Sequence, residues 1–177
     1  MRVFISGGCK NGKSAYALRL AAEQEASPLY YIATMRPVDG DDEARIDRHR
    51  RERAGLGFIT VEQPENIEEI LDKCDSGGSF LLDSLTALLA GEMFRADGTV
   101  FENAGEKISR GLSYILDEVS NIVLVSDFIY SDAAIYDAYT EKYRRSLAMI
   151  DKAAAMRCET VLEAAYTGVI THKKPNI

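Results

Sequence analysis

The chain has 177 residues, 46% of them hydrophobic and 28% charged, with a formal net charge of −7. Those values fit one soluble domain over residues 1–177 and argue against general nucleic-acid binding or attraction to an anionic membrane surface. Cys9, Cys74 and Cys158 lack C-x-x-C spacing, which speaks against a disulfide framework or a zinc site.

The first element reads as a strand, Arg2 to Ser6, rather than a signal peptide, and no apolar run nears the ~20 residues of a membrane span. The expected compartment is therefore the cytoplasm. Directly after this strand, Gly7-Gly8-Cys9-Lys10-Asn11-Gly12-Lys13-Ser14 fits G-x-x-x-x-G-K-[ST], the phosphate-binding loop. Gly7 and Gly12 can take backbone angles that a side chain forbids, so the loop's N–H groups can turn inward around a phosphate. Lys13 supplies positive charge to the outer phosphates, and the Ser14 hydroxyl can hold Mg²⁺. A helix over Ala15 to Ala26 leaves the loop with its N-terminus toward the anion.

Leu29 to Ala33 is the second strand and Pro37 to Gly40 a turn. A charged helix is expected over Asp41 to Arg53, a third strand over Phe58 to Val61, and a short helix over Pro64 to Lys73 with Ile67, Ile70 and Leu71 on one face. After a turn at Asp75 to Gly78 come a fourth strand, Ser79 to Asp83, an apolar helix, Leu85 to Phe94, and an amphipathic helix, Glu102 to Glu118. Ile122 to Ser126 is the fifth strand. A long helix over Ala133 to Met156 and a last strand over Val161 to Tyr166 precede a frayed tail, His172 to Ile177. Such alternation specifies an α/β fold, a mainly parallel sheet with helices on both faces, of the P-loop NTPase-like (RecA-like) kind. Ligands then bind beyond the carboxyl ends of the strands.

A phosphate loop needs an acidic partner at the end of an apolar strand to help hold Mg²⁺. Asp83 and Asp127 both qualify, and Asp83 is favoured because a helix-bearing segment follows it directly. The stretch Arg45-Ile46-Asp47-Arg48-His49-Arg50-Arg51-Glu52-Arg53 places Arg45 and Arg53 one turn to either side of His49. On a face turned to a triphosphate, the arginines bind phosphate oxygens, disfavour imidazolium and stabilise charge developing on phosphorus. A neutral imidazole there can act as a nucleophile. The pairs Asp47 with Arg51 and Arg48 with Glu52 equally suit a solvated surface helix. Glu62, ending the third strand, suits either a ribose or base contact or a helix cap. Tyr136, Tyr139 and Tyr143 at helical spacing read as core or subunit interface, or else as a flat seat for a planar ligand. His172 has no assigned role.

Taken together, these segments resemble the bifunctional adenosylcobinamide kinase / adenosylcobinamide-phosphate guanylyltransferase family of cobalamin biosynthesis. The resemblance rests on the phosphate loop, Tyr31-Ile32-Ala33-Thr34, Glu43-Ala44-Arg45-Ile46-Asp47-Arg48-His49-Arg50, Val61-Glu62 and Leu81-Leu82-Asp83-Ser84-Leu85-Thr86, in that order. It implies phosphorylation of a corrinoid alcohol by GTP or ATP, then transfer of GMP from GTP to the new phosphate, with His49 carrying GMP covalently. It also implies nucleotide contacts at Ala33, Thr34, Met35, Arg50, Arg51, Glu52, Arg53, Glu62 and Asp83, besides the loop, and a small homo-oligomer such as a trimer. The chain departs from the family pattern at Asp83, at Ser126-Asp127-Phe128-Ile129-Tyr130 and at Asp151-Lys152. Alternative readings are a P-loop small-molecule kinase without a covalent intermediate, or a GTP-binding paralogue that does not turn over.

Overall fold

The computed structural model describes residues 1–166 and 168–175. Seven strands join in one sheet of order β3-β2-β4-β5-β1-β6-β7. They are β1 (Arg2–Gly7), β2 (Leu29–Ala33), β3 (Phe58–Glu62), β4 (Ser79–Asp83), β5 (Asn121–Val125), β6 (Thr160–Ala165) and β7 (Gly168–Lys173). All pairings are parallel except β6 with β7. A parallel strand is buried on both faces, so its apolar residues form a run rather than an alternation. The run Val3-Phe4-Ile5 shows how it divides. Val3 and Ile5 face α1 (Lys13–Ala22) with Leu81, Val123 and Val125. Phe4 faces the other core with Phe80, Leu82, Ile122 and Leu124.

That second core is covered by α4 (Leu85–Met93), α5 (Ala104–Glu118) and α6 (Ala138–Arg157). The amphipathic helix expected from the sequence is α5, with Ile108, Leu112, Ile115 and Leu116 buried along one stripe. The charged helix is α2 (Gly40–Arg53), capped by Asp39, whose side chain accepts the Asp42 N–H at 2.9 Å. Among the described residues no helix is long and apolar enough to cross a membrane.

Four expected elements differ, the first being α1, which runs Lys13–Ala22 and stops four residues short of Ala26. The helix expected over Pro64 to Lys73 is a 3₁₀ turn, Ile67–Glu69, leading into a single helical turn, α3 (Ile70–Lys73). Gln63 is the cause: its Nε2 donates to the carbonyls of Glu65 (2.5 Å) and Asn66 (3.1 Å), fixing the backbone outside a helix. The long helix begins at Ala138 rather than Ala133, because Asp137 caps it by accepting from the N–H groups of Tyr139 and Thr140. Tyr136 therefore lies outside the helix, and the three tyrosines share no stripe. Lastly, the tail expected to fray is a strand as far as Lys173, and His172 Nε2 lies 2.7 Å from Glu163 Oε2 across the hairpin. Asn176 and Ile177 of that tail lie outside the described residues.

Candidate active site

Strand register assembles the site. Glu62, Ala33 and Asp83 stand in one row across β3, β2 and β4 at their carboxyl ends, beside Val125 of β5. The phosphate loop leaves β1 at the same edge. Gly7 crosses so close to β6 that a Cβ would collide with the Ala164 carbonyl oxygen and lie 2.5 Å from Asn11 Nδ2. Asn11 fastens the loop there, with Nδ2 donating to Ala164 O at 2.5 Å and Oδ1 accepting from Lys13 N at 3.2 Å. Gly12 takes a left-handed φ of 86° and, as glycine, caps nothing at the start of α1; beyond the Lys13 N–H that Asn11 holds, the N–H groups of Ser14 and Ala15 are left for an anion.

Lys13 is buried, donates to Gly8 O at 3.1 Å and pairs with Asp127. The Ser14 hydroxyl lies 3.4 Å from Asp83 Oδ1, and Tyr31 donates to Asp83 Oδ2 at 3.1 Å. The two acids that the sequence left in competition thus take different positions: Asp127 partners the lysine and Asp83 faces the hydroxyl. Ser14 with Asp83 is the pair able to hold a divalent cation, whose remaining ligands would be phosphate oxygens and water. Burial and the Asp83 carboxylate push the Tyr31 phenol far above its ordinary range, so it remains a hydrogen-bond donor.

Two cavities meet at His49. One, of about 340 Å³, is lined by Cys9, Lys10, Asn11, Gly12, Lys13 and Ser14, with Arg48 and Glu52 opposite. The other, of about 290 Å³, lies over the strand-end row and is walled by Ala33, Met35, Glu62 and Asp83, with Arg50 and Arg53. Both include Arg45 and His49. One turn of α2 sets His49 Nδ1 3.2 Å from Glu52 Oε2. With its proton on Nδ1 toward Glu52, the ring keeps its lone pair on Nε2. Arg53 is buried, with its guanidinium 4.1 Å from the centre of the Tyr31 ring and Nε donating to Thr60 Oγ1 at 3.1 Å. Arg50 reaches Glu62 at 3.5 Å.

Some expected contacts fall elsewhere. Arg51 lines neither cavity; its Nε donates to the Asp47 carbonyl at 3.3 Å, while the Asp47 carboxylate pairs with Arg50 at 3.5 Å. The Thr34 side chain is buried and joined to Ser84, accepting its N–H and donating to its carbonyl, both at 2.7 Å. It braces the strand end and leaves no atom of that hydroxyl for a ligand. Gly8 carries space for a Cβ and lies in the loop without a conformational need for glycine. Tyr31 was not foreseen as a site residue, although a polar hydroxyl in the apolar run Leu29–Ala33 was a signal for one.

A family model described as cobinamide kinase / cobinamide phosphate guanyltransferase matches residues 3–170. The chain belongs to that family. As a member it is an enzyme, a nucleotidyltransferase with kinase activity. It is similar to the bifunctional adenosylcobalamin biosynthesis protein CobP of Pseudomonas aeruginosa, 30% identical over 162 residues that cover 91% of each chain. A second relative, the bifunctional adenosylcobalamin biosynthesis protein CobU of Escherichia coli K12, is 29% identical over 99 residues, 55% of this chain and 53% of that one. Among solved structures, a KaiC-like protein of Pyrococcus horikoshii aligns with a TM-score of 0.52 and 14% identity, covering 98% of this chain and 78% of that one. The flagellar accessory protein FlaH of Methanocaldococcus jannaschii aligns with a TM-score of 0.50 and 11% identity over the same shares. At such identities they show the fold, which is the P-loop architecture read from the sequence.

Proposed function

We propose that this member of the cobinamide kinase / guanyltransferase family transfers GMP from GTP to a phosphorylated corrinoid through a covalent guanylyl-histidine at His49. The observation that carries the reading is the place of His49, shared by a phosphate-loop cavity and a cavity over the strand ends, with Glu52 on Nδ1. The guanosine lies over Ala33, Met35 and Glu62, and the outer phosphates lie in the loop. The α-phosphorus then falls between the cavities, beside Nε2.

His49 Nε2 bonds to the α-phosphorus as the bond from that phosphorus to the bridging oxygen breaks, and pyrophosphate leaves with the electron pair. Lys13, Arg45 and the N–H groups at the start of α1 face the charge gathering on the leaving group. Mg²⁺ held by Ser14 and Asp83 would neutralise phosphate charge when bound. Glu52 stabilises the positive imidazole that forms. In the second step an oxygen of the corrinoid phosphate attacks the same phosphorus, the P–N bond breaks, and the histidine returns neutral. The phosphate loop also serves the preceding phosphorylation of the corrinoid alcohol by GTP or ATP. The enzyme works in the cytoplasm as a small homo-oligomer, for which Tyr136 and Tyr139 offer exposed aromatic surface.

Incubation with α-³²P-GTP and Mg²⁺, followed by denaturing electrophoresis, tests the mechanism. Wild type is expected to carry label that acid removes and base does not, and His49→Ala none. Absence of label on both proteins, with GTP binding intact, would reduce the enzyme to a P-loop kinase or a nucleotide binder without turnover.

A further inference from the structure

A third cavity, of about 400 Å³, opens beside the first two, between the end of β2 and α4. Met35, Ala87, Ala90, Phe94 and Tyr143 form an apolar wall with Val38 at the rim, and Arg36 and Asp42 add charge to the lining. Phe94 and Tyr143 stack with ring centres 5.7 Å apart, and the Tyr143 hydroxyl is spent on Thr86 O at 2.9 Å. Val38 and Phe94 remain exposed, so the apolar surface continues outward from the cavity. Two charged residues join this space to the others. Asp127 lines both it and the phosphate-loop cavity, and Arg45 lines all three. Asp127 is buried, with its backbone N–H held by Thr86 Oγ1 at 2.8 Å.

We propose that this third cavity seats the acceptor, an alcohol on a bulky and partly apolar body, with its hydroxyl between Asp127 and the phosphate loop. This rests on the kinase and guanylyltransferase reading above and supplies the acceptor site that reading lacks. With triphosphate in the loop, Lys13 turns from Asp127 to the phosphate oxygens, and the freed carboxylate faces the acceptor hydroxyl. The acceptor oxygen bonds to the γ-phosphorus while its proton passes to Asp127, and the nucleoside diphosphate leaves with the electron pair of the broken P–O bond. Arg45, at the junction, holds the new phosphate and presents it to the guanylylated His49 next door. The cavity admits the arm of the acceptor, and its body lies across Val38 and Phe94. A single acceptor seat then serves both reactions.

Adenosylcobinamide retained on ultrafiltration, read by its absorbance in the presence of a non-hydrolysable GTP analogue, measures acceptor binding. A fluorescent GTP analogue and the α-³²P label report nucleotide binding and guanylylation separately. Ala90→Phe fills the cavity and touches neither of the other two. It is expected to weaken adenosylcobinamide binding at least tenfold, with nucleotide affinity within twofold of wild type and labelling unchanged. Val38→Glu, at an exposed rim position, is expected to weaken it at least threefold; it decides the matter if Ala90→Phe does not fold. Wild-type acceptor affinity in a folded Ala90→Phe, or in Val38→Glu, would overturn the site while leaving the guanylyltransferase reading in place. A wild-type protein that labels normally yet retains no adenosylcobinamide would overturn the corrinoid reading and the site with it.

Discussion

His49 and Glu52 are three residues apart, so helix geometry alone holds the imidazole against the carboxylate. The carboxylate does two things for a nucleophile: it fixes the tautomer and stabilises the cation formed on attack. Glu52→Gln keeps the shape and removes the charge, so the rate of guanylylation is expected to fall about tenfold, within the range for such supporting partners. The time course of α-³²P labelling measures it, and an unchanged rate would separate Glu52 from the chemistry. At Gly7 the constraint is steric. The Cβ introduced by Gly7→Ala meets the backbone of β6, which cannot retreat without breaking the β1–β6 ladder. Overpacking of this kind costs about 1–3 kcal/mol, so the variant should unfold several degrees below wild type in a thermal melt.

Among the elements, α6 carries an unusual charge. Asp151 lies on its buried side, accepts from the Tyr130 hydroxyl at 3.1 Å and has a second oxygen without a hydrogen-bond partner. Burial pushes its carboxyl up to about 7; the Tyr130 hydroxyl and the nearby Ser126 hydroxyl oppose the rise, and the neighbouring Asp127 charge adds to it. The folded protein therefore holds a proton on Asp151 that the unfolded chain releases near the ordinary aspartate value. Stability from this group is complete below about pH 4 and is lost as pH rises through about 7. Each unit of that difference is worth about 1.4 kcal/mol. Asp151→Asn keeps an acceptor for Tyr130 and cannot ionise. Its melting temperature should exceed wild type at pH 8 and lack the decline that wild type shows between pH 4 and 7; parallel curves would place the titration elsewhere.

The sequence made the central sheet and the residues around the phosphate legible, because both depend on short-range pattern. A buried parallel strand is a run of apolar residues, the phosphate loop is eight contiguous positions, and the His49 face is a helical spacing. What escaped depends on distant partners. Nothing in the order of residues joins Lys13 to Asp127 or Tyr31 to Asp83. The β7 strand was hidden because all six of its residues are exposed, so it carries no buried face to mark it. Arg51 reads like its neighbours in sequence, and only the rotation of the helix turns it from the cavities.

At the scale of the molecule, α2 is an outlier. The sheet and the helices over its two faces share extensive cores, whereas Arg53 is the only buried residue of α2. Asp41, Asp42 and Glu43 sit in its first turn and Arg50, Arg51 and Arg53 in its last, which suits the helix dipole and gathers positive charge near the site. So α2 is weakly fastened to the sheet, through the Arg53 contacts with Tyr31 and Thr60 and the exposed Arg50–Glu62 pair. Elements with few buried apolar contacts open at low free-energy cost. A nucleotide whose phosphates lie in the loop and whose α-phosphorus meets His49 would tie α2 to β1 and β4, and ligand binding stabilises whatever it joins. Hydrogen exchange followed by mass spectrometry is therefore expected to show fast exchange over α2 in the free protein. On adding a non-hydrolysable GTP analogue with Mg²⁺, exchange should slow together over α2 and the loop at Gly7–Ser14. The buried strands β4 and β5 should change little, since the core already protects them. Protection confined to the loop would mean that the nucleotide does not bridge to α2, and His49 would then lie out of reach of its phosphorus.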